Sequence, residues 1–334
     1  MAKSNLNIGL TGCGHLGSIH AKLIASIAVE NNSVTFAGVF DSVAEKAEKT
    51  ASQFDVKAFN SFDEMLNEID TLIIVTPTST HFEIAKAALA KNINLFIEKP
   101  VTSSLTDAES LIKLSENANV KIQVGHVERF NPALLSLNKY ELKPRFIESH
   151  RLSQFNPRGT DVSVIQDLMI HDIDIILNLV KSPVEKIDAN GVAVISHNID
   201  IANARLGFQN GCVANVTASR ISLKKMRKMR IFQNNAYISI DFSTNKSEIF
   251  RLTDEATPFE GMSFPLGEGK KIVFEEPKLD NTEEINPIKN ELESFFDSIM
   301  NDKPVKVTLK DGKQAVEVAD EIIKIISQTD PVAK

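Results

Sequence analysis

The sequence predicts an α/β protein of two domains, the first built on a doubly wound parallel sheet and the second on an open, mostly antiparallel sheet. Three observations predict this fold. Short strand-like runs alternate with amphipathic helical stretches through the first 125 residues, a glycine-rich loop joins the first run to the first helical stretch, and strand-like runs predominate beyond residue 126. Since a domain commonly holds about 150 residues, we assign the 334 residues to domains 1–125 and 126–334.

Helix-start signals support the alternation in the first domain. Four of its helices begin with Ser or Thr followed three residues later by Glu, which is the spacing of a capping box. These pairs are Ser42 and Glu45, Ser61 and Glu64, Thr80 and Glu83, and Thr106 and Glu109. The predicted strands cover 7–11, 34–40, 72–75, 94–97 and 121–124, and the predicted helices cover 18–30, 42–54, 61–69, 80–91 and 106–117.

The second domain is predicted to begin with one long helix and to continue as a sheet. Asn210-Gly211 between two strands is a hairpin signal, and the basic run 224–230 is interpreted as a solvated edge strand or else as a phosphate-binding or subunit-contact edge. An open sheet with one uncovered face favours self-association, as a dimer or tetramer. The predicted helices are 161–180, 286–300 and 313–327, and the strands are 184–194, 201–208, 212–219, 229–232 and 236–242.

Composition excludes several classes of protein. Hydrophobic residues make up 43% of the chain, enough for a packed core, and the net charge of −7 disfavours a nucleic-acid partner. Two cysteines, Cys13 and Cys212, form neither a disulfide framework nor a zinc site. No apolar run approaches the roughly 20 residues that span a bilayer, and no signal peptide is visible. We therefore expect a cytoplasmic protein with no membrane partner.

The glycine-rich loop is Gly12-Cys13-Gly14-His15-Leu16-Gly17, between a strand and a helix. In this context the first glycine permits a tight turn, the second admits a pyrophosphate and the third allows close packing of helix against strand. The helix N-terminus adds N–H donors and a positive dipole end. The alternative is a glycine turn of an ordinary α/β protein, and we predict a dinucleotide site.

Asp41 ends the second strand, where a carboxylate accepts from a ribose 2′-hydroxyl and repels a 2′-phosphate. This position favours NAD over NADP, although Asp41 could be a simple turn residue.

Thr76-Pro77-Thr78 follows a buried strand, and ligands of such sheets lie beyond the carboxyl ends of the strands. These three residues are predicted to line the cofactor site, or else to form a proline-bearing loop without ligand contact.

Three residues are candidates for chemistry. Lys99, in Glu98-Lys99-Pro100, lies at the carboxyl edge of the sheet and could stabilise a sugar hydroxyl or a developing alkoxide; the alternative is a solvated lysine. Asp167 and His171 are four residues apart on one predicted helix, so the carboxylate can orient the imidazole as a base for a hydroxyl proton. The alternative is a structural histidine. A metal is not expected, because no second histidine stands four residues away.

Anionic and polar substrate groups have further candidate ligands. Arg158 precedes the long helix, and Arg129 and Arg151 are similar candidates, each with an ordinary ion pair as its alternative. His126 follows the last strand of the first domain and is a candidate substrate ligand. The remaining histidines, His20 among them, are expected to have packing or loop roles.

These motifs resemble, in type and order, the Gfo/Idh/MocA oxidoreductases. The likeness includes the glycine loop, the segment from Thr76 to His81, Glu98-Lys99-Pro100 and the Asp167…His171 pair, and it extends over nearly the whole chain. It implies a Rossmann domain followed by an open-sheet domain, NAD(P) as cofactor, and a sugar, inositol or nucleotide-sugar substrate. It also implies that Lys99, Asp167 and His171 are catalytic and that His81 and Glu98 lie with the cofactor.

Within the family, segments 126–132 and 157–162 resemble UDP-N-acetylglucosamine 3-dehydrogenases, and the arginines suit a pyrophosphate substrate. One departure is that residues 161–166 lack the glycines common before the Asp, which argues against a typical inositol dehydrogenase. Three alternatives stay open: dehydrogenation of inositol or another sugar, a non-catalytic NAD-binding regulator, and an NADP-linked reductase.

Overall fold

The computed structural model describes residues 5–156, 162–279 and 285–329, and the chain divides into two units. The first unit comprises Met1–Val127 and Ile285–Val316, and the second comprises Glu128–Glu284 and Glu317–Lys334. The first segment of the first unit ends at Val127, whereas the predicted first domain ends at residue 125. Segment 285–316 belongs to the first unit, whereas the predicted second domain runs without a break from 126 to 334.

The first unit alternates strands and helices as predicted. Its elements are, in chain order, β1 (Leu6–Thr11), α1 (His15–Glu30), β2 (Val34–Phe40), α2 (Ala44–Phe54), β3 (Lys57–Ala58), α3 (Phe62–Glu68), β4 (Thr71–Ile74), α4 (His81–Leu89), β5 (Asn94–Glu98), α5 (Leu105–Ser115) and β6 (Ile122–Gly125).

The six strands form one parallel sheet in the order β3-β2-β1-β4-β5-β6, which confirms the doubly wound prediction. Every residue of β4, β5 and β6 is buried, as expected where helices cover both faces of a parallel sheet. The direction of winding reverses between β1 and β4. Ligands of doubly wound sheets bind at such a reversal, beyond the carboxyl ends of the strands.

Helix caps in this unit agree only in part with the predicted capping boxes. Ser61 accepts a hydrogen bond from the amide of Glu64 at 3.1 Å, as predicted. Helix α5 is capped instead by Ser104, which accepts from the amide of Asp107. In the described segments, no cap is formed by the predicted hydroxyls of Ser42, Thr80 and Thr106.

The second unit is rich in strands. Its elements are, in chain order, α6 (Pro132–Leu135), β7 (Phe146–Leu152), a π-helical turn (Ile165–Met169), α7 (Ile170–Val180), β8 (Val184–Val192), β9 (Ile201–Phe208), β10 (Val213–Ser219), β11 (Met226–Gln233), β12 (Ala236–Asp241), β13 (Lys246–Asp254), β14 (Ser263–Gly267) and β15 (Lys270–Glu275).

These strands form a nine-stranded sheet in the order β14-β15-β13-β12-β11-β7-β10-β9-β8. Among the described strands of this sheet, β7 and β10 alone pair in parallel, so the prediction of a mostly antiparallel sheet is confirmed. Gly211 adopts φ +81 in the predicted hairpin between β9 and β10. The sequence did not predict β7, β13, β14 or β15. It also placed the basic run at an edge, whereas β11 lies between β7 and β12.

The two faces of this sheet differ in what covers them. Helices α6 and α7 pack on one face, where Met229 and Ile231 are fully buried. The opposite face carries a row of neighbouring aromatic rings, which we call the aromatic row. Adjacent centroids are 5.0–5.6 Å apart, and the Tyr237 ring stacks on those of Phe232 and Phe250. The members of the aromatic row, from β7 to β15, are Phe146, Phe232, Tyr237, Phe250 and Phe274.

The closing helices are α8 (Pro287–Met300) and α9 (Leu309–Thr329). The apolar face of α8, with Leu292, Phe295 and Phe296, belongs to the same core cluster as Ile24 of α1 and Phe96 of β5. The cost of exposing this face is the physical reason that the chain returns to the first unit. Helix α9 begins in the first unit and continues into the second.

Candidate active site

The glycine loop connects β1 to α1 and contains two glycines that its own packing requires. Gly12 has φ +93, and a Cβ there would lie 2.5 Å from the carbonyl oxygen of Val75. A Cβ on Gly17 would lie 1.8 Å from the carbonyl oxygen of Gly12. A Cβ on Gly14 would meet no atom within 4 Å among the described residues. The first and third glycines therefore shape the loop, and the second leaves open space beside it.

That open space adjoins the N-terminus of α1. Gly14 is the N-cap residue, and His15 and Leu16 begin the helix with exposed side chains. The first backbone N–H groups of a helix have no intrahelical partner and carry the positive end of its dipole. Burial raises the pKa of the Cys13 thiol to about 11, so the loop adds no negative charge of its own. These features fit the pyrophosphate of a dinucleotide.

Asp41 follows β2 and reaches back to the glycine loop. One carboxylate oxygen accepts from the amide of Cys13, and the other accepts from the amide of Val43 at the start of α2. Each oxygen has a second lone pair, so the carboxylate can still accept from a ribose hydroxyl. This geometry allows the predicted contact of Asp41 with the adenosine ribose, which stays a prediction.

The segment after β4 forms a 3-10 turn, Thr78–Thr80, that leads into α4. The Thr80 hydroxyl donates to the carbonyl of Pro77 at 2.8 Å, which is why it does not cap α4. Thr76, Pro77 and Thr78 lie at the carboxyl end of β4, where ligands of such sheets bind; Thr76 and Thr78 are half-buried and Pro77 is exposed.

His81 has a different position from the one the family resemblance implies. Its ring is 1% exposed, with Nε2 2.9 Å from the carbonyl oxygen of Thr76 and Nδ1 3.0 Å from that of Pro100. Burial lowers the pKa of His81. Because both ring nitrogens face backbone carbonyls, His81 joins the loops that follow β4 and β5, and this geometry argues against direct contact with the cofactor.

Glu98-Lys99-Pro100 lies at the carboxyl end of β5, with a cis peptide bond between Lys99 and Pro100. Lys99 is half-buried, which argues against a fully solvated lysine. Glu98 is buried, and its carboxylate contacts the imidazole of His20 and accepts from the amide of Lys99. Glu98 is therefore engaged inside the unit, contrary to the predicted contact with the cofactor.

His126, the predicted substrate ligand, follows β6. Its amide donates to the carbonyl of Val124 at 2.9 Å, and its side chain is 1% exposed.

Asp167 and His171 lie on the segment that the sequence predicts as one α-helix. The structure divides this segment into the π-helical turn, which carries Asp167, and α7, which carries His171 in its first turn. Their angular separation therefore differs from that of an α-helical i, i+4 pair. Both side chains are half-buried, whereas Ile165, Met169 and Ile170 around them are fully buried. Insertions of this kind in α-helices frequently occur at functional sites.

Two of the candidate arginines have buried carboxylate partners. Arg129 donates from Nε and Nη2 to the two oxygens of Asp174 at 2.7 and 2.6 Å. Arg151 makes the same bidentate contact with Asp172 and also donates to Glu128 at 2.7 Å. Arg129 is therefore a structural residue in this geometry, which argues against the predicted contact with substrate. Arg158 lies outside the described residues.

The Arg151 cluster fixes α7 to the sheet. Burial disfavours the charged guanidinium, but the charges of Asp172 and Glu128 outweigh this effect and hold the pKa of Arg151 above its ordinary value. Asp172 and Asp174 are both on α7, one and three residues after His171. The two ion pairs thus set the position of the helix that carries the candidate base.

Family models match both parts of the chain. One, described as an oxidoreductase family with an NAD-binding Rossmann fold, matches residues 6–126, and the GFO/IDH/MocA C-terminal domain matches residues 143–239. The chain belongs to the Gfo/Idh/MocA family. It is thus an oxidoreductase of the Rossmann type that uses NAD, as the glycine loop and Asp41 predict. No helix in the described part of this family member is long and apolar enough to cross a membrane.

Individual relatives in the family are dehydrogenases. UDP-N-acetylglucosamine 3-dehydrogenase of Acidithiobacillus ferrooxidans is 39% identical over 247 residues, which are 74% of this chain and 77% of the relative. A solved structure of that organism's enzyme has a TM-score of 0.84 at 33% identity and covers 97% of this chain and 98% of its own. The NAD-dependent scyllo-inositol 2-dehydrogenase of Bacillus subtilis is 28% identical, over 63% of this chain and 66% of its own length.

The sequence of this family member does not reveal the hydrogen-bond partners of its buried polar side chains. His20 was expected to have a packing role, yet it contacts Glu98. A signal was available, because His20 shares the buried face of α1 with Gly17, Ile24 and Ile27 at helical spacing. A buried imidazole needs a polar partner. No local pattern identifies which carboxylate it is, because Glu98 is 78 residues away.

Proposed function

We propose that this chain catalyses NAD-dependent oxidation of a secondary hydroxyl of a sugar. We propose further that this group is the 3-hydroxyl of UDP-N-acetylglucosamine. The 39% identity to a UDP-N-acetylglucosamine 3-dehydrogenase carries the choice of substrate. The Rossmann unit with its open helix N-terminus at Gly14 supports the cofactor. Inositol and other sugars are the alternative substrates, since more distant relatives are inositol dehydrogenases.

In the proposed mechanism His171 accepts the hydroxyl proton, and Asp167 orients its imidazole. Lys99 stabilises the negative charge that develops on the hydroxyl oxygen. Bound NAD supplies the hydride acceptor. His126 and Arg158 remain our candidates for contact with the substrate, and Arg158 suits its diphosphate.

Turnover with a panel of alcohols tests the proposed substrate. Purified protein is mixed with NAD and with UDP-N-acetylglucosamine, UDP-glucose, myo-inositol or scyllo-inositol, and NADH is followed by its absorbance. We expect the highest kcat/KM with UDP-N-acetylglucosamine and a 3-oxo product by NMR. Turnover with an inositol alone would contradict the choice of substrate. NAD binding without turnover on any alcohol would instead favour the non-catalytic regulator.

Substitution of the candidate catalytic residues tests the mechanism. Lys99→Ala and His171→Ala are each expected to lower kcat by at least about 100-fold while NAD affinity changes little. Lys113→Ala and His197→Ala, on exposed side chains, are the matched controls. Near-normal turnover in the Lys99 and His171 variants would overturn the assignment.

We also propose self-association through the open face of the nine-stranded sheet. The aromatic row supports this proposal, because Phe232 retains 36% exposure and the rings beside it continue the apolar strip across the sheet. Light scattering is expected to give the mass of a dimer or tetramer, and Phe232→Glu is expected to shift the protein toward the monomer.

Both free cysteines are buried, which suits the reducing cytoplasm that we propose as the compartment of this protein.

A further inference from the structure

Two buried histidines hold the residues on either side of Lys99. Before it, Glu98 Oε1 lies 2.8 Å from Nε2 of His20, and Glu98 Oε2 accepts from the Lys99 amide at 3.1 Å. After it, the carbonyl of Pro100 lies 3.0 Å from Nδ1 of His81. His20 belongs to α1 and His81 to α4, and their exposures are 0% and 1%. The Lys99 backbone is therefore tied to two helices.

The His20–Glu98 contact has a defined proton arrangement. Burial disfavours the charged carboxylate, but the hydrogen bond from His20 and the charges of His20 and Lys99 outweigh it, so the pKa of Glu98 is below its ordinary value. An ionised carboxylate can only accept, so Nε2 of His20 must carry the proton. Nδ1 is buried with no hydrogen-bond partner among the described residues, and the ring packs against Phe96 with centroids 5.7 Å apart.

The surroundings leave the Glu98 carboxylate little freedom. Gly125 of β6 lies beside it, and a Cβ there would come within 3.0 Å of Oε2. One oxygen is directed at His20 and the other at the Lys99 amide. Loss of the imidazole would leave a buried carboxylate with one partner fewer, which favours its neutral form or a new rotamer.

We propose that His20 is a positioning residue for Lys99: by holding the Glu98 carboxylate, it fixes the backbone that carries Lys99 and keeps a negative charge near the Lys99 ammonium. The inference rests on the catalytic role of Lys99 in the proposed function. Through His20, helix α1 would then affect the rate of the chemical step, in addition to any effect on cofactor binding.

The first test compares His20→Leu with His20→Gln. Leucine fills the space without a donor, whereas the glutamine amide can place an N–H group toward Glu98. We expect His20→Leu to lower kcat on the order of 10-fold or more with KM for NAD within about twofold, and we expect His20→Gln to recover most of the loss. His197→Leu, at an exposed histidine, is the control. A purely structural histidine would instead lower thermal stability in both His20 variants without a selective loss of kcat.

The second test does not need turnover. Lys99 is labelled with acetic anhydride at fixed pH and quantified by peptide mass spectrometry relative to the exposed Lys113. Loss of the neighbouring carboxylate charge makes the ammonium easier to deprotonate, so we expect faster labelling of Lys99 in His20→Leu and in the isosteric Glu98→Gln. His20→Asn replaces His20→Leu if the leucine variant does not fold.

The outcomes separate the two proposals. If the wild type oxidises no alcohol but Lys99 labelling changes in the variants, the proposed function fails and the positioning role stands. If the wild type is active and neither kcat nor labelling changes in the His20 variants, the positioning role is overturned and the proposed function stands.

Discussion

The Oδ2 atom of Asp41 accepts a hydrogen bond of 2.7 Å from the backbone amide of Cys13. This contact joins the end of β2 to the glycine loop, so one carboxylate both shapes the loop and presents a negative charge beside it. The residue that we propose selects the cofactor is thereby coupled to the loop that we propose binds it.

Asp41→Asn is expected to shift cofactor preference toward NADP. The amide oxygen can still accept from Cys13, but the charge that repels a 2′-phosphate is lost. The ratio of kcat/KM for NAD to that for NADP should fall by about 10-fold or more, a change of about 1.4 kcal/mol or more. Asp55→Asn, at the αL residue that ends α2, is the control. An unchanged ratio would contradict the role of Asp41.

Substitution of two glycines in one loop should separate folding from cofactor binding. Gly17→Ala places a Cβ 1.8 Å from a backbone oxygen, so we expect it to lower the free energy of unfolding by several kcal/mol. Gly14→Ala meets no neighbour among the described residues, so its free energy of unfolding should change by less than about 1 kcal/mol. The added methyl group of Gly14→Ala faces the proposed pyrophosphate site and should weaken NADH binding, measured by NADH fluorescence. Equal stability of the two variants in urea would argue against this geometry.

The buried Arg151 cluster predicts a large loss of stability. Arg151→Met leaves the carboxylates of Asp172 and Glu128 buried without their guanidinium, which should lower the free energy of unfolding by about 3–5 kcal/mol. Arg230→Met, which breaks the exposed pair with Glu148, should cost less than about 1 kcal/mol. Urea unfolding measures both. A small effect at Arg151 would show that the carboxylates are readily protonated or hydrated.

The loop before β9 predicts a pH dependence of stability. Asp200 is fully buried; burial raises its pKa, but the Ser196 hydroxyl and the amides of residues 194–196 outweigh this and lower it to about 2. Arg220 also lies 3.9 Å from its carboxylate. Since the native pKa is below the ordinary value of 3.8, the contribution is complete above about pH 4 and is lost as pH falls toward 2.

Asp200→Asn is therefore expected to lower the free energy of unfolding by about 2 kcal/mol at neutral pH. The difference between wild type and variant should shrink as pH falls from 5 to 2.5, measured by urea unfolding at each pH. A difference that is constant across this range would mean that the carboxylate charge is not what stabilises the loop.

Local patterns predicted the first unit well, because its strands are apolar runs and its helices have apolar faces. They failed at β7, which the sequence did not predict. The buried side of β7 holds Ile147, Ser149 and Arg151, so two of three inward residues are polar and the alternation of period two is hidden. Arg151 is tolerated there only because Asp172 and Glu128, distant in sequence, neutralise it.

The part of the candidate site that the sequence predicts is the part that backbone geometry requires. Gly12 and Gly17 are needed by the turn itself, and such constraints are visible in a motif. The partners of Arg129, Glu98 and His81 depend on tertiary contacts, which no spacing reveals. The π-helical turn at Asp167 is likewise invisible, since the same residues would fit an ordinary helix.

The return of α8 to the first unit has a consequence for synthesis on the ribosome. Leu292, Phe295 and Phe296 complete a core whose other members, such as Phe96, are translated about 200 residues earlier. The nascent Rossmann unit must therefore keep an apolar surface uncovered while the whole of the nine-stranded sheet is being made. A gene fragment that stops at residue 127 would encode a domain with this surface permanently exposed, and such a fragment would need residues 285–316 supplied in trans to remain in solution.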